Sequence, residues 1–102
     1  MMIVAAIILA ASAPTRDPLT VALECEVYAE LAMSIHGDRP PMLLIDDRIH
    51  RYWSTEARRI AATRQKTPEQ LAASKLVIAI ESDRYAPILT NCLKTMPKKA
   101  LR

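Results

Sequence analysis

The sequence predicts an all-α fold, a small antiparallel bundle of about four helices. Three observations carry that expectation. A single glycine in 102 residues leaves too few turn formers for a strand-rich fold, while Ala, Leu, Arg, Lys and Glu are plentiful. Apolar residues recur at spacings of three and four through each long segment, the period of a helix with a buried face. Proline and cap residues cut the chain into helix-length pieces at Asp17-Pro18, Pro40-Pro41, Thr67-Pro68 and Pro87. Phenylalanine is absent and aromatics make up only 4%, so the core is aliphatic. A core this small is marginal unaided, which gives weight to any covalent staple.

Residues 1–13, MMIVAAIILAASA, are uncharged, apolar and end in small side chains before the helix-hostile PTRDP. The run is shorter than the roughly 20 residues that cross a bilayer, so it reads as a signal peptide removed on export. Two features depart from that pattern. The segment carries no Lys or Arg, and a cut after Ala13 leaves Pro14 next to the bond. The competing reading is a buried N-terminal helix of a cytosolic protein. With the leader removed, a single domain spans 14–97 and a basic, frayed tail spans 98–102, and the mature chain has no integral membrane segment.

The first helix is capped by Asp17 or Thr20 and runs to Ile35 or His36. Val21, Cys25, Tyr28, Ala32 and Ile35 form its inward stripe, and Leu23, Val27 and Leu31 a second apolar line on roughly the opposite side. Two buried faces follow. The second line meets a neighbouring helix or serves as a homodimer seam, and Glu24, Glu26 and Glu30 take the remaining solvent-facing surface. Gly37 then supplies a left-handed stop, and Asp38-Arg39-Pro40-Pro41 reverses the chain.

The longest element runs from Pro41 to about Gln65, roughly 37 Å as a helix, and holds the only tryptophan. Met42, Ile45, Ile49, Trp53 and Ile60 lie on one stripe, flanked by Tyr52 and Ala57, which makes this the rod against which the rest packs. Arg48, Arg51, Arg58 and Arg59 form its polar back. Glu56 falls within the apolar stripe, so it either reaches a partner such as Arg59 or titrates at raised pH. Thr67-Pro68-Glu69-Gln70 is a capping box that opens a third helix, with Leu71, Ile78 and Tyr85 on one face and Leu76, Val77 and Ile80 making its middle apolar on nearly every side. The competing reading of Leu76-Val77-Ile78-Ala79-Ile80 is a short buried strand, against which stand the Leu71-Ala72-Ala73 lead-in and the lack of a second strand-like run. Pro87 either kinks the chain or marks a new helix capped by Ser82 or Asp83, and this final element carries Ile88, Leu89, Cys92, Leu93 and Met96.

Net charge is +3 and the isoelectric point about 9.1, with both signs interspersed. Without a concentrated basic face or a recognisable module, nucleic acid is not an expected partner. One glycine rules out Gly-rich phosphate loops and the GxSxG elbow. Asp46, Asp47 and His50 share a helix edge, but no second histidine stands one turn away, and His36 sits at a helix end. No cofactor, metal set or catalytic residue is assigned. Catalysis would require a cleft joining Asp46, His50 and Glu56.

Cys25 and Cys92 each lie on the inward face of their own helix and match neither a CxxC redox site nor a zinc knuckle. In an exported chain they pair with each other, and closing the long loop between them contributes about 4 kcal/mol in the chain-entropy model. In a cytosolic chain they are buried thiols. The segments Cys25-Glu26-Val27-Tyr28 and Pro87-Ile88-Leu89-Thr90-Asn91-Cys92 resemble the cysteine-aromatic and proline-cysteine pattern of small helical periplasmic acid-stress chaperones of the HdeA type, although more residues separate the cysteines here. That resemblance implies a periplasmic chaperone role. The residues themselves point first to a periplasmic or extracellular protein that binds another protein noncovalently, with Leu23, Val27, Leu31, Trp53 and Glu56 as candidate contacts. A carrier of small apolar ligands stands beside the chaperone as the alternative.

Overall fold

The computed structural model describes residues 16–81 and 85–101, with the backbone alone at 85 and 86. The leader read at 1–13, the caps at Ser82 and Asp83 and the side chain of Tyr85 lie outside the described residues. Among the described residues four α-helices follow one another: α1 (Pro18–Ile35), α2 (Pro40–Thr63), α3 (Pro68–Ile80) and α4 (Tyr85–Thr95), then a 3-10 helix over Lys98–Leu101. The all-α bundle and its Cys25–Cys92 disulfide stand as the sequence predicts.

The hub, however, is α1 and not the longer α2. α1 packs most extensively on α2 and also takes α3 and α4 on its remaining surface, while the 3-10 helix rests on α2. The cause is in the side chains. α1 is apolar around most of its circumference, and a helix of that kind is buried on several sides. Ala22, Ala29 and Ala32 are fully buried along it, and their small size lets neighbouring backbones approach closely. α2 is amphipathic and buries one face only, through Asp46, Ile49, Ser54, Ala57 and Ala61. Cross-helix pairs fix the register: Asp17 meets Arg64, Glu30 meets His50, and His36 meets Asp46. Position rises on one helix as it falls on the other, so α1 and α2 are antiparallel.

The core has two parts. One gathers Leu19, Ala22, Leu23, Ala57 and Ala61, with Leu71 and Ile78 of α3 packed on it. The other gathers Cys25, Ala29, Ile49, Cys92 and Met96, with Ile88, Leu89 and Leu93 of α4. Trp53 packs against both, and its Nε1 donates to the Cys92 carbonyl at 3.3 Å. Tyr52 meets it edge to face, ring centroids 5.0 Å apart.

Several local expectations change. Ile35, Met42 and Ile45, placed on inward stripes by the helical wheel, are exposed near the α1–α2 turn, and Ile45 lines a shallow concavity with Leu89 and Leu93 of α4 in place of a core position. Gly37 does not take a left-handed conformation. Gln65 does, at φ 55°. There Gln65 N–H reaches the Ala62 carbonyl at 3.2 Å and Lys66 N–H the Ala61 carbonyl at 3.0 Å, the Schellman pattern that closes α2. In place of a frayed tail, residues 98–101 fold back as the 3-10 helix, with Ala100 and Leu101 against the second core cluster and Arg48 donating to the Leu101 carbonyl.

Candidate functional site

Two surfaces stand out, one for its clustered charges and one for its exposed apolar side chains, and both involve α3. The first is a seam of ionisable groups where α1, α2 and α3 meet. Glu26, expected on the solvent side, is only 7% exposed. It is buried because α3 lies over it, and its carboxylate accepts from Lys75 Nζ at 3.2 Å. Glu30, one turn further along α1, lies 3.6 Å from the same ammonium and 3.0 Å from His50 Nε2. His50 Nε2 stands 4.0 Å from Glu26. Two carboxylates, an imidazole and an ammonium from three helices thus face one point.

The catalytic candidates of the sequence are not brought together. Asp46 is buried and pairs with His36 Nδ1 at 2.7 Å, not with His50. Asp47 holds Arg51 at 2.9 Å. Glu56 is gripped by Arg59 through two hydrogen bonds of 3.0 and 2.9 Å, which hold its carboxyl below the ordinary glutamate value and not above it. Burial, with the Glu56 charge second, pushes the Tyr52 hydroxyl up. Each candidate therefore has its own partner, and the described residues show no shared cleft that would combine Asp46, His50 and Glu56.

The candidate contact line on α1 is also relocated. Leu23 and Val27 are buried, and Leu31 is half-buried beside Ala79 of α3. The second apolar line of α1 is thus covered by a neighbouring helix within the chain, not left as a seam. Trp53 is core, as its carbonyl bond and two-sided packing show.

Exposed apolar side chains lie at the α1–α2 turn, with Ile35, Met42, Leu44 and Ile45, and, more exposed still, along α3. Leu71, Lys75 and Ile78 turn toward the body of the protein and are only half-buried, so no residue of α3 is fully buried. Ala73, Leu76, Val77 and Ile80 recur on the opposite side, and Leu76, Val77 and Ile80 are 63%, 56% and 74% exposed. From Gln70 to Ile80 the only charge is Lys75, and it is turned inward. From Ala73 to Ile80 the outward face therefore carries no charge, with Glu69 at its N-terminal end. Beside it, a groove of about 400 Å³ runs between α3 and the start of α1, floored by Leu19, Leu23, Leu71 and Ile78 and edged by Asp17 and Arg64. The sequence signal for this surface is the run Leu76-Val77-Ile78-Ala79-Ile80: five successive apolar residues on a helix at the edge of a bundle cannot all face inward.

Comparison with family models, with curated proteins and with solved structures found no match for the chain.

Proposed function

We propose that the protein is an exported helical module that binds another envelope or secreted protein noncovalently, and that it does so through the outward face of α3. The observation that carries the reading is the uncharged stripe Ala73, Leu76, Val77 and Ile80. Scattered exposed apolar residues are ordinary, but a continuous stripe over two turns of one helix is the pattern of a contact surface. Its i, i+3, i+4, i+7 spacing suits an apolar helix or strand lying alongside. The disulfide supports export, because such bonds persist in oxidising compartments. Among the described residues no helix is long and apolar enough to cross a membrane.

The test uses a photo-crosslinking residue at Leu76 or Ile80, compared with the same residue at exposed Thr55, in the native host. The expected result is one discrete heterologous adduct at the α3 positions alone, abolished by Ala73→Glu. Adducts of equal yield at Thr55, or no α3 adduct at all, would overturn the reading, and an adduct of twice the chain mass would replace it with a homodimer.

A second reading, a carrier of small apolar ligands, is favoured by the groove beside α3, whose volume falls within the roughly 300–1,000 Å³ range of small-molecule sites. It predicts saturable binding of an apolar fluorescent probe that Leu71→Trp blocks.

A further inference from the structure

We propose that Glu26, Glu30 and His50 form a site for a divalent transition-metal ion, zinc in the first instance, and that the Lys75 ammonium is the cation such an ion displaces. The inference is independent of the partner reading.

The donor set is built across two helices. Glu26 and Glu30 stand one turn apart on α1 and present oxygens to the same side, and α2 brings His50 Nε2 against them. One oxygen from each carboxylate and the imidazole nitrogen all lie within 4.8 Å of one another. Zinc bonds of about 2.0–2.2 Å put tetrahedral ligands about 3.4 Å apart. The observed separations of 3.0 and 4.0 Å from His50 straddle that value. Glu30 is about half-exposed and free to swing, while buried Glu26 is fixed. Two carboxylates and one imidazole make a nitrogen-oxygen set suited to zinc, cobalt or nickel more than to calcium or magnesium, which take oxygen alone. A fourth position remains for water or a partner's side chain.

A second observation shows that the point of convergence takes a cation. Lys75 Nζ already sits there, 3.2 Å from Glu26 and 3.6 Å from Glu30. One ammonium against two carboxylates leaves the cluster negative whenever His50 is neutral, so the favourable charge is only half supplied. A dication balances it fully and uses the imidazole lone pair, which an ammonium cannot. Lys75, one-third exposed on a flexible stem, moves to solvent when displaced.

The experiment is calorimetric titration of zinc chloride into the oxidised chain, with cobalt absorption spectra as a report on coordination. Wild type is expected to bind one ion. His50→Ala should weaken binding at least tenfold, and His36→Ala, on the separate Asp46 pair, should bind as wild type does. Lys75→Ala and Lys75→Met should bind at least tenfold tighter than wild type. Their melting temperatures should also rise more with zinc, because the ion restores a partner to Glu26. Equal zinc affinity in wild type and His50→Ala would overturn the proposal. So would a failure of wild type and both Lys75 variants to bind.

Discussion

Asp17 serves two neighbours with one carboxylate. Its Oδ2 accepts from Thr20 N–H at 3.1 Å and caps α1, while Oδ1 accepts from Arg64 at 2.7 Å and ties the start of α1 to the end of α2. The Arg64 hydrogen bond, then the backbone bond from Thr20, hold its pKa below the ordinary aspartate value. A depressed carboxylate stabilises the fold fully above its unfolded pKa, about 3.9, and loses that contribution as pH falls through the lower folded value. Asp17→Asn keeps a capping oxygen but removes the charge. Wild type should therefore denature at higher urea concentration than Asp17→Asn above pH 5, with the two curves converging in strong acid. Because the pair is exposed, added salt should narrow the gap as well. Gln65 gives a prediction of opposite sign. Its φ of 55° belongs to the left-handed region that glycine enters freely. Gln65→Gly should raise stability by about 1 kcal/mol, read as a shift of the urea midpoint with unchanged slope. An unchanged or lower midpoint would mean that the turn is not held in that conformation.

The capping box at the start of α3 is legible in the sequence because its chemistry is local. Thr67 accepts from Gln70 N–H at 3.1 Å, and the Gln70 side chain accepts from Thr67 N–H at 2.8 Å. A 13-residue helix with no fully buried residue depends on such a cap, since isolated helices of that length are marginal in water. Thr67→Ala should cost about 1 kcal/mol, and the loss should be concentrated in α3, whose amides should exchange faster while the centre of α1 is unaffected. Uniform acceleration across the chain would show that α3 is not a separable unit. The α1 pattern is legible only in part. Two apolar lines announce two buried faces, but the length of α2 and its tryptophan point to the wrong helix as the hub. Length does not decide centrality. The fully buried alanines of α1 do, and alanine gives little signal on a hydropathy wheel. Glu26 is unreadable for a different reason: its burial is imposed by α3, whose docking angle no periodicity encodes.

At the scale of the molecule, the covalent link decides whether α4 stays on α1. Cys25 and Cys92 are fully buried and joined, across a separation of 67 residues. Beyond that bond, α4 and the 3-10 helix are held by Ile88, Leu89, Leu93 and Met96, by Trp53 on the Cys92 carbonyl and by Arg48 on the Leu101 carbonyl. That is a modest apolar contact for two short elements. The pairing is readable from the inward position of both cysteines once export is supposed, whereas the fold-back of the tail is not, because Pro97-Lys98-Lys99 looks like any solvated end. Loop closure of this length is worth about 4 kcal/mol, a large part of the roughly 5–15 kcal/mol that stabilises a small domain. Reduction, or the Cys25→Ala/Cys92→Ala double variant, should therefore lower the melting temperature by on the order of 20 °C, with exchange rising first in α4. If the reduced chain instead melts within a few degrees of the oxidised one, the staple is not what holds α4 in place. The same bond bears on compartment. Chain recovered from its native host and denatured without reductant should take up no thiol-alkylating label, and label at both cysteines would place it in a reducing environment and remove the support for export.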